Sequence, residues 1–70
     1  MTNGWNVYVE GRFSASRDRV KKALRTSNLH WDNGRVYAAF FMEGSLNSIM
    51  ENVRDKLENL SPLTYSMKFE

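Results

Sequence analysis

The chain reads as an α+β domain whose elements run strand, helix, strand, strand, helix, strand. Three observations predict it. Several stretches alternate apolar and polar residues with a period of two. Two others carry apolar residues at i, i+3, i+4 spacing. Between two apolar runs lies an Asn-Gly pair, Asn33-Gly34, the preferred centre of a tight hairpin turn.

The first strand is WNVYVEGRF, residues 5–13. Trp5, Val7, Val9 and Phe13 share one parity; Asn6, Tyr8, Glu10 and Arg12 share the other. Branched and aromatic residues at period two make a strand with one buried face. Gly11 falls on the buried parity and marks a bulge or a close helix approach.

SASRDRVKKALRTSN follows, residues 14–28. Ser14 or Ser16 can cap a helix by accepting a bond from a first-turn amide. Asp18 suits the positive end of the helix dipole. Val20, Ala23 and Leu24 form a narrow apolar stripe, and Arg17, Lys21 and Arg25 form a basic row beside it. The helix is expected to end at Ser27-Asn28.

A type I′ turn centred on Asn33-Gly34 pairs Asp32 with Arg35, Trp31 with Val36, His30 with Tyr37 and Leu29 with Ala38. Opposed residues point to the same side of a sheet. Leu29, Trp31, Val36, Ala38, Phe40 and Met42 therefore share an apolar face. His30, Asp32, Arg35, Tyr37, Ala39 and Phe41 share a mixed one, expected outward. A slip of one residue would exchange the two faces.

Residues 44–62, GSLNSIMENVRDKLENLSP, form the stronger helix. Ser45 can cap it, Leu46, Ile49, Met50, Val53, Leu57 and Leu60 supply the stripe, and Pro62 lies beyond the end. LTYSMKFE alternates again, with Leu63, Tyr65, Met67 and Phe69 on the apolar side.

This order is the split βαβ, or ferredoxin-like, arrangement βαββαβ. Right-handed crossovers place two helices on one face of a four-stranded antiparallel sheet. The first and third strands are central, and the second and fourth are edges. The opposite sheet face is left bare.

Seventy residues suffice for one compact domain, 1–70. A domain this small buries about 60% of its unfolded surface, which favours a dimer or a partner. There are no cysteines and one histidine. Disulfides and thiolate sites are excluded, and a single histidine argues against an all-protein zinc site, so no metal and no cofactor is expected. No apolar run reaches the roughly 20 residues of a membrane helix. The opening MTNGWNVYVEG lacks the pattern of a secretion signal, so a cytoplasmic location is expected. Residues 1–35 hold seven basic and three acidic side chains, a balance of +4; residues 36–70 hold three and five, a balance of −2.

Catalysis has little to draw on. His30 is an outward edge-strand residue, no serine stands in a nucleophile elbow, and no glycine-rich loop cradles phosphate. An enzyme is not expected. The outward sheet face instead presents Tyr8 on the first strand, with Tyr37 and Phe41 on the third.

VYVEGRF, from Val7 to Phe13, resembles the first-strand signature of the RNA recognition motif, and RVYAAFFM, from Arg35 to Met42, is similar to its third-strand signature. The resemblance implies that Tyr8 and Tyr37 are base-stacking aromatics and that Arg35 is the basic residue of the third strand. The chain departs from the pattern at Ala39, where a second third-strand aromatic is expected, at Val36 and at Glu10.

The sequence thus points to a non-enzymatic binding protein that takes single-stranded RNA or DNA on an aromatic sheet face. The site would comprise Tyr8, Arg12, His30, Arg35, Tyr37, Phe41 and Lys68, with Arg17, Lys21 and Arg25 as a second, basic row. The face also carries Glu10, Asp32 and Glu70, which brings it near neutrality. The alternative is a protein-binding regulator or inhibitor, a viral product acting on a larger host complex among them, or a sheet-mediated homodimer. The fourth strand is an open edge able to add a partner's strand.

Overall fold

The computed structural model describes residues 3–70; Met1 and Thr2, the start of the stretch read for a leader, lie outside them. Four strands and two helices follow one another: β1 Gly4–Phe13, α1 Arg17–Leu24, β2 Leu29–Asp32, β3 Arg35–Glu43, α2 Leu46–Glu58 and β4 Pro62–Phe69. The strands form one open antiparallel sheet in the order β2-β3-β1-β4. No helix among the described residues is long and apolar enough to cross a membrane.

The hairpin turn fixes the register, and the register fixes the faces. Asn33 and Gly34 both have positive φ, 51° and 88°, as a type I′ turn requires. Asp32 pairs with Arg35, His30 with Tyr37 and Leu29 with Ala38, as the turn predicts. Across the central pair, Val7 opposes Phe40, Val9 opposes Ala38 and Gly11 opposes Val36. Val7, Val9, Gly11, Val36, Ala38 and Phe40 point to the same side.

One core lies on that side. Val7, Val9, Phe13, Val36 and Ala38 from the sheet join Val20 and Leu24 from α1 and Ile49, Val53 and Leu57 from α2 in a single buried cluster. Both helices therefore cover one sheet face. Val7, Val20, Val36, Val53 and Leu57 are fully enclosed, and each such side chain contributes roughly 1.5–3 kcal/mol by leaving water.

Both helix caps are serines. The Ser16 hydroxyl accepts a bond from the Arg19 amide at 3.3 Å, and the Ser45 hydroxyl accepts from the Ser48 amide at 3.3 Å. The first helix is shorter than its sequence suggests: it ends at Leu24, and Arg25 turns the chain with a left-handed backbone, φ 52°. Two apolar residues are not where the periodicity puts them. Met50 is 41% exposed, because it sits about 100° round the helix from Ile49, past the rim that the sheet covers. Leu63 is 73% exposed, because a bulge shifts the β1–β4 register between Arg12 and Phe13. Phe13 then pairs with Pro62, Arg12 with Thr64, and Leu63 is the extra residue.

Gly11 lies outside that bulge and pairs regularly with Tyr65. A Cβ on Gly11 would stand 2.5 Å from the Thr64 carbonyl oxygen and 2.7 Å from the Tyr65 Cβ. The close approach comes from β4, not from a helix.

Candidate functional site

The bare sheet face is built by period-two alternation on four strands, with His30 and Asp32 outward on β2. Asn6, Tyr8, Glu10 and Arg12 point outward from β1, Arg35, Tyr37, Ala39 and Phe41 from β3, and Thr64, Ser66 and Lys68 from β4. Tyr8 lies opposite Ala39 on one side and Lys68 on the other. Tyr37 lies opposite Glu10 and His30.

This register surrounds Ala39 with rings. Tyr37 and Phe41 flank it along β3, and Tyr8 faces it across the sheet. The small residue leaves an open hollow of about 640 Å³, walled by Tyr8, Tyr37, His30, Asn28, Ser66 and Lys68. That volume lies within the range of small-molecule sites. Phe41 stands apart. Its ring lies over Gly4, in the space a Cβ there would need, and fills the place of the missing side chain. A smaller hollow of about 300 Å³ separates it from Tyr8.

The loop after α1 shapes one wall. The Thr26 hydroxyl donates to the Ala39 carbonyl at 3.2 Å and accepts from the Asn28 amide at 3.0 Å. The Asn28 carbonyl accepts from the Ala39 amide at 3.1 Å. Ser27 and Asn28 are thereby held at the rim. The sequence marks them only as the end of a helix, since their place depends on docking against β3. Ser66 was legible by parity, next to Lys68 and opposite Glu10.

Most of the face's charge is paired. Arg35 Nη2 donates to Glu10 Oε1 at 2.8 Å, and the guanidinium carbon sits 5.3 Å from the Tyr37 ring centroid. The bond to Glu10, then the neighbouring Tyr37, raises the Arg35 pKa above its ordinary value, so the group keeps its charge at any practical pH. Lys68 Nζ lies 3.1 Å from Glu70 Oε1. The His30 ring lies 6.2 Å from the Tyr37 ring at 45°. Tyr37 thus has Arg35 over one ring face and His30 at its side.

Tyr8, His30, Tyr37 and Lys68 meet at the large hollow. Arg12 and Arg35 lie at the other end of the face, around a smaller depression of about 420 Å³ with Thr64 and Ser66. The basic row is remote. α1 packs on the opposite side of the sheet, and its row is interrupted: Arg17 and Lys21 are helical, whereas Arg25 has left the helix. Lys21 and Arg25 instead border a separate hollow with Lys22 and Thr26.

Comparison with protein-family models, curated proteins and solved structures returns no match to this chain.

What the face can do follows from its groups. Aromatic walls with a small floor receive a flat ring. Asn28, Ser66, His30 and Lys68 offer donors and acceptors at the rim.

Proposed function

We propose that this chain is a non-enzymatic binding module that takes single-stranded nucleic acid on its outward sheet face, one base seated over Ala39 between Tyr8 and Tyr37. The observation that carries the reading is the register: two exposed tyrosines on adjacent central strands bound a hollow whose floor is an alanine. The strand order with two covering helices supports a ferredoxin-like assignment. The placement of Tyr8 and Tyr37 supports the likeness to the RNA recognition motif. On this reading Ala39 is a departure with a use, since the absent aromatic makes room for a base.

The strength of such binding can be bounded. Stacking contributes about 1–3 kcal/mol per base. Two stacked bases, about 2–6 kcal/mol together, correspond to a Kd of roughly 40 µM to 30 mM. Phosphate contacts add little, because Arg35 and Lys68 already have carboxylate partners. With Arg12 as the backbone contact, the salt slope is about −0.7 on a log–log plot. The module is soluble and cytoplasmic on this reading, and it needs no cofactor.

Near-neutrality favours a second reading, in which the same face docks on a protein. Fluorescence anisotropy with a mixed-sequence single-stranded oligonucleotide separates the two. Binding that Tyr8→Ala and Tyr37→Ala each weaken by about 1–3 kcal/mol supports the nucleic-acid reading. Binding that ignores both substitutions contradicts it.

A further inference from the structure

We propose that β4 is a self-pairing edge, and that two copies of this chain join through it, antiparallel, into one continuous sheet. The strand order leaves two edges. β2 is short, Leu29–Asp32, and closes at once into the hairpin. β4 runs the whole of Pro62–Phe69. Its proline and its bulge lie at one end, and from Tyr65 to Phe69 nothing blunts the edge but the outward Lys68.

Hydrogen bonding sets which groups are free. Asn6 and Glu70 exchange both backbone bonds: the Asn6 amide donates to the Glu70 carbonyl at 2.7 Å, and the Glu70 amide donates to the Asn6 carbonyl at 2.9 Å. Along an antiparallel strand, alternate residues turn their N–H and C=O groups to the same side. Ser66 and Lys68 therefore face β1, as Glu70 does. Tyr65, Met67 and Phe69 turn their backbone groups to the open edge. A second copy must pair through that row.

The side chains then select the register. A two-fold axis through Ser66 sets Tyr65 against Met67 of the second copy on the helix side, and brings the bulged Leu63 beside its Phe69. On the outward side it sets Thr64 against Lys68, so no like charges meet. An axis through Met67 would bring the two copies' Lys68 side chains into diagonal reach. An axis through Tyr65 would oppose Phe69 to Ser61, whose left-handed backbone, φ 55°, has left the strand. The Ser66 register covers the exposed Leu63 and the half-buried Tyr65, Met67 and Phe69 with each other. Such a two-fold contact is closed, because each copy uses its one long edge.

Sedimentation velocity of the full chain from about 10 µM to about 1 mM, with hydrogen exchange at both ends of the range, tests this. The mass doubles as concentration rises, and exchange slows at Tyr65, Met67 and Phe69. Leu63→Lys changes an exposed residue, so the circular dichroism spectrum is kept while dimerisation weakens at least tenfold. Met67→Pro removes one edge donor and abolishes the dimer; if that variant does not fold, Leu63→Lys decides alone. A chain monomeric at about 1 mM overturns the proposal. So does a dimer protected at β2 or at the Tyr8–Tyr37 face, or one that Leu63→Lys leaves intact.

Discussion

At the scale of single residues, Ala39 and Gly11 show how an absent side chain can define a structure. Ala39 is the floor between Tyr8, Tyr37 and Phe41, and its neighbours were readable from parity once the Asn33-Gly34 turn was placed. The hollow itself was not readable, because it also needs the Thr26–Asn28 loop, whose position follows from bonds to the β3 backbone. Ala39→Phe separates a hollow from a flat stacking platform. If a base sits over Ala39, the added ring fills its place and oligonucleotide affinity falls at least tenfold in anisotropy. A platform would gain affinity from the same change. Gly11 has a backbone reason. Its Cβ position is taken by the β4 main chain, which cannot swing aside as a side chain can. Gly11→Ala costs about 1–3 kcal/mol in urea unfolding, and an unchanged midpoint would mean that β4 yields at Thr64 and Tyr65.

The elements were legible where a repeating pattern acts over several residues, and less so at their ends. β1 and β3 put every residue on the expected side, since one buried face leaves a two-residue period no freedom. β4 followed its pattern from Tyr65 to Phe69 and lost it at Leu63, because a bulge is a change of register that alternation alone does not reveal. α2 kept Ile49, Val53 and Leu57 buried but not Met50. α1 is eight residues long, below the length at which an isolated helix is stable in water, so tertiary packing through Val20 and Leu24 holds it. Its basic residues consequently face away from the sheet surface that carries Tyr8 and Tyr37. The double variant Arg17→Ala, Lys21→Ala therefore leaves oligonucleotide affinity within about twofold by anisotropy. A loss as large as that of Tyr37→Ala would move the site to α1, with stacking no longer its basis.

The molecule as a whole is small, with a radius of gyration of 11.5 Å, and its stability rests on one cluster. A chain of this length is stable by roughly 4–10 kcal/mol. Leu57, enclosed between α2 and the sheet, illustrates how little is in reserve. Leu57→Ala costs about 2–5 kcal/mol, half or more of the total at the low end, and a thermal melt of that variant shows a markedly lower Tm. A Tm within a degree or two of the parent would mean that the core closes over the gap. The same thin margin gives a reason for β4 to pair. With the two-fold axis perpendicular to the sheet, both outward faces lie on one side. Their Ala39 hollows are then about 24 Å apart across the strands, within reach of one extended single strand. Dimerisation and base binding remain separate properties, because Leu63→Lys acts on the first and Tyr37→Ala on the second.

The most direct test of base binding is a two-dimensional amide and methyl titration of the labelled chain with short single-stranded RNA and DNA. Intermolecular NOEs are sought from base protons to the Ala39 methyl group and to the Tyr8 and Tyr37 rings. Shifts centred on Tyr8, Tyr37, Ala39 and Ser66, with those NOEs, are the expected result. A spectrum unmoved at those positions, or shifts confined to α1, would contradict it.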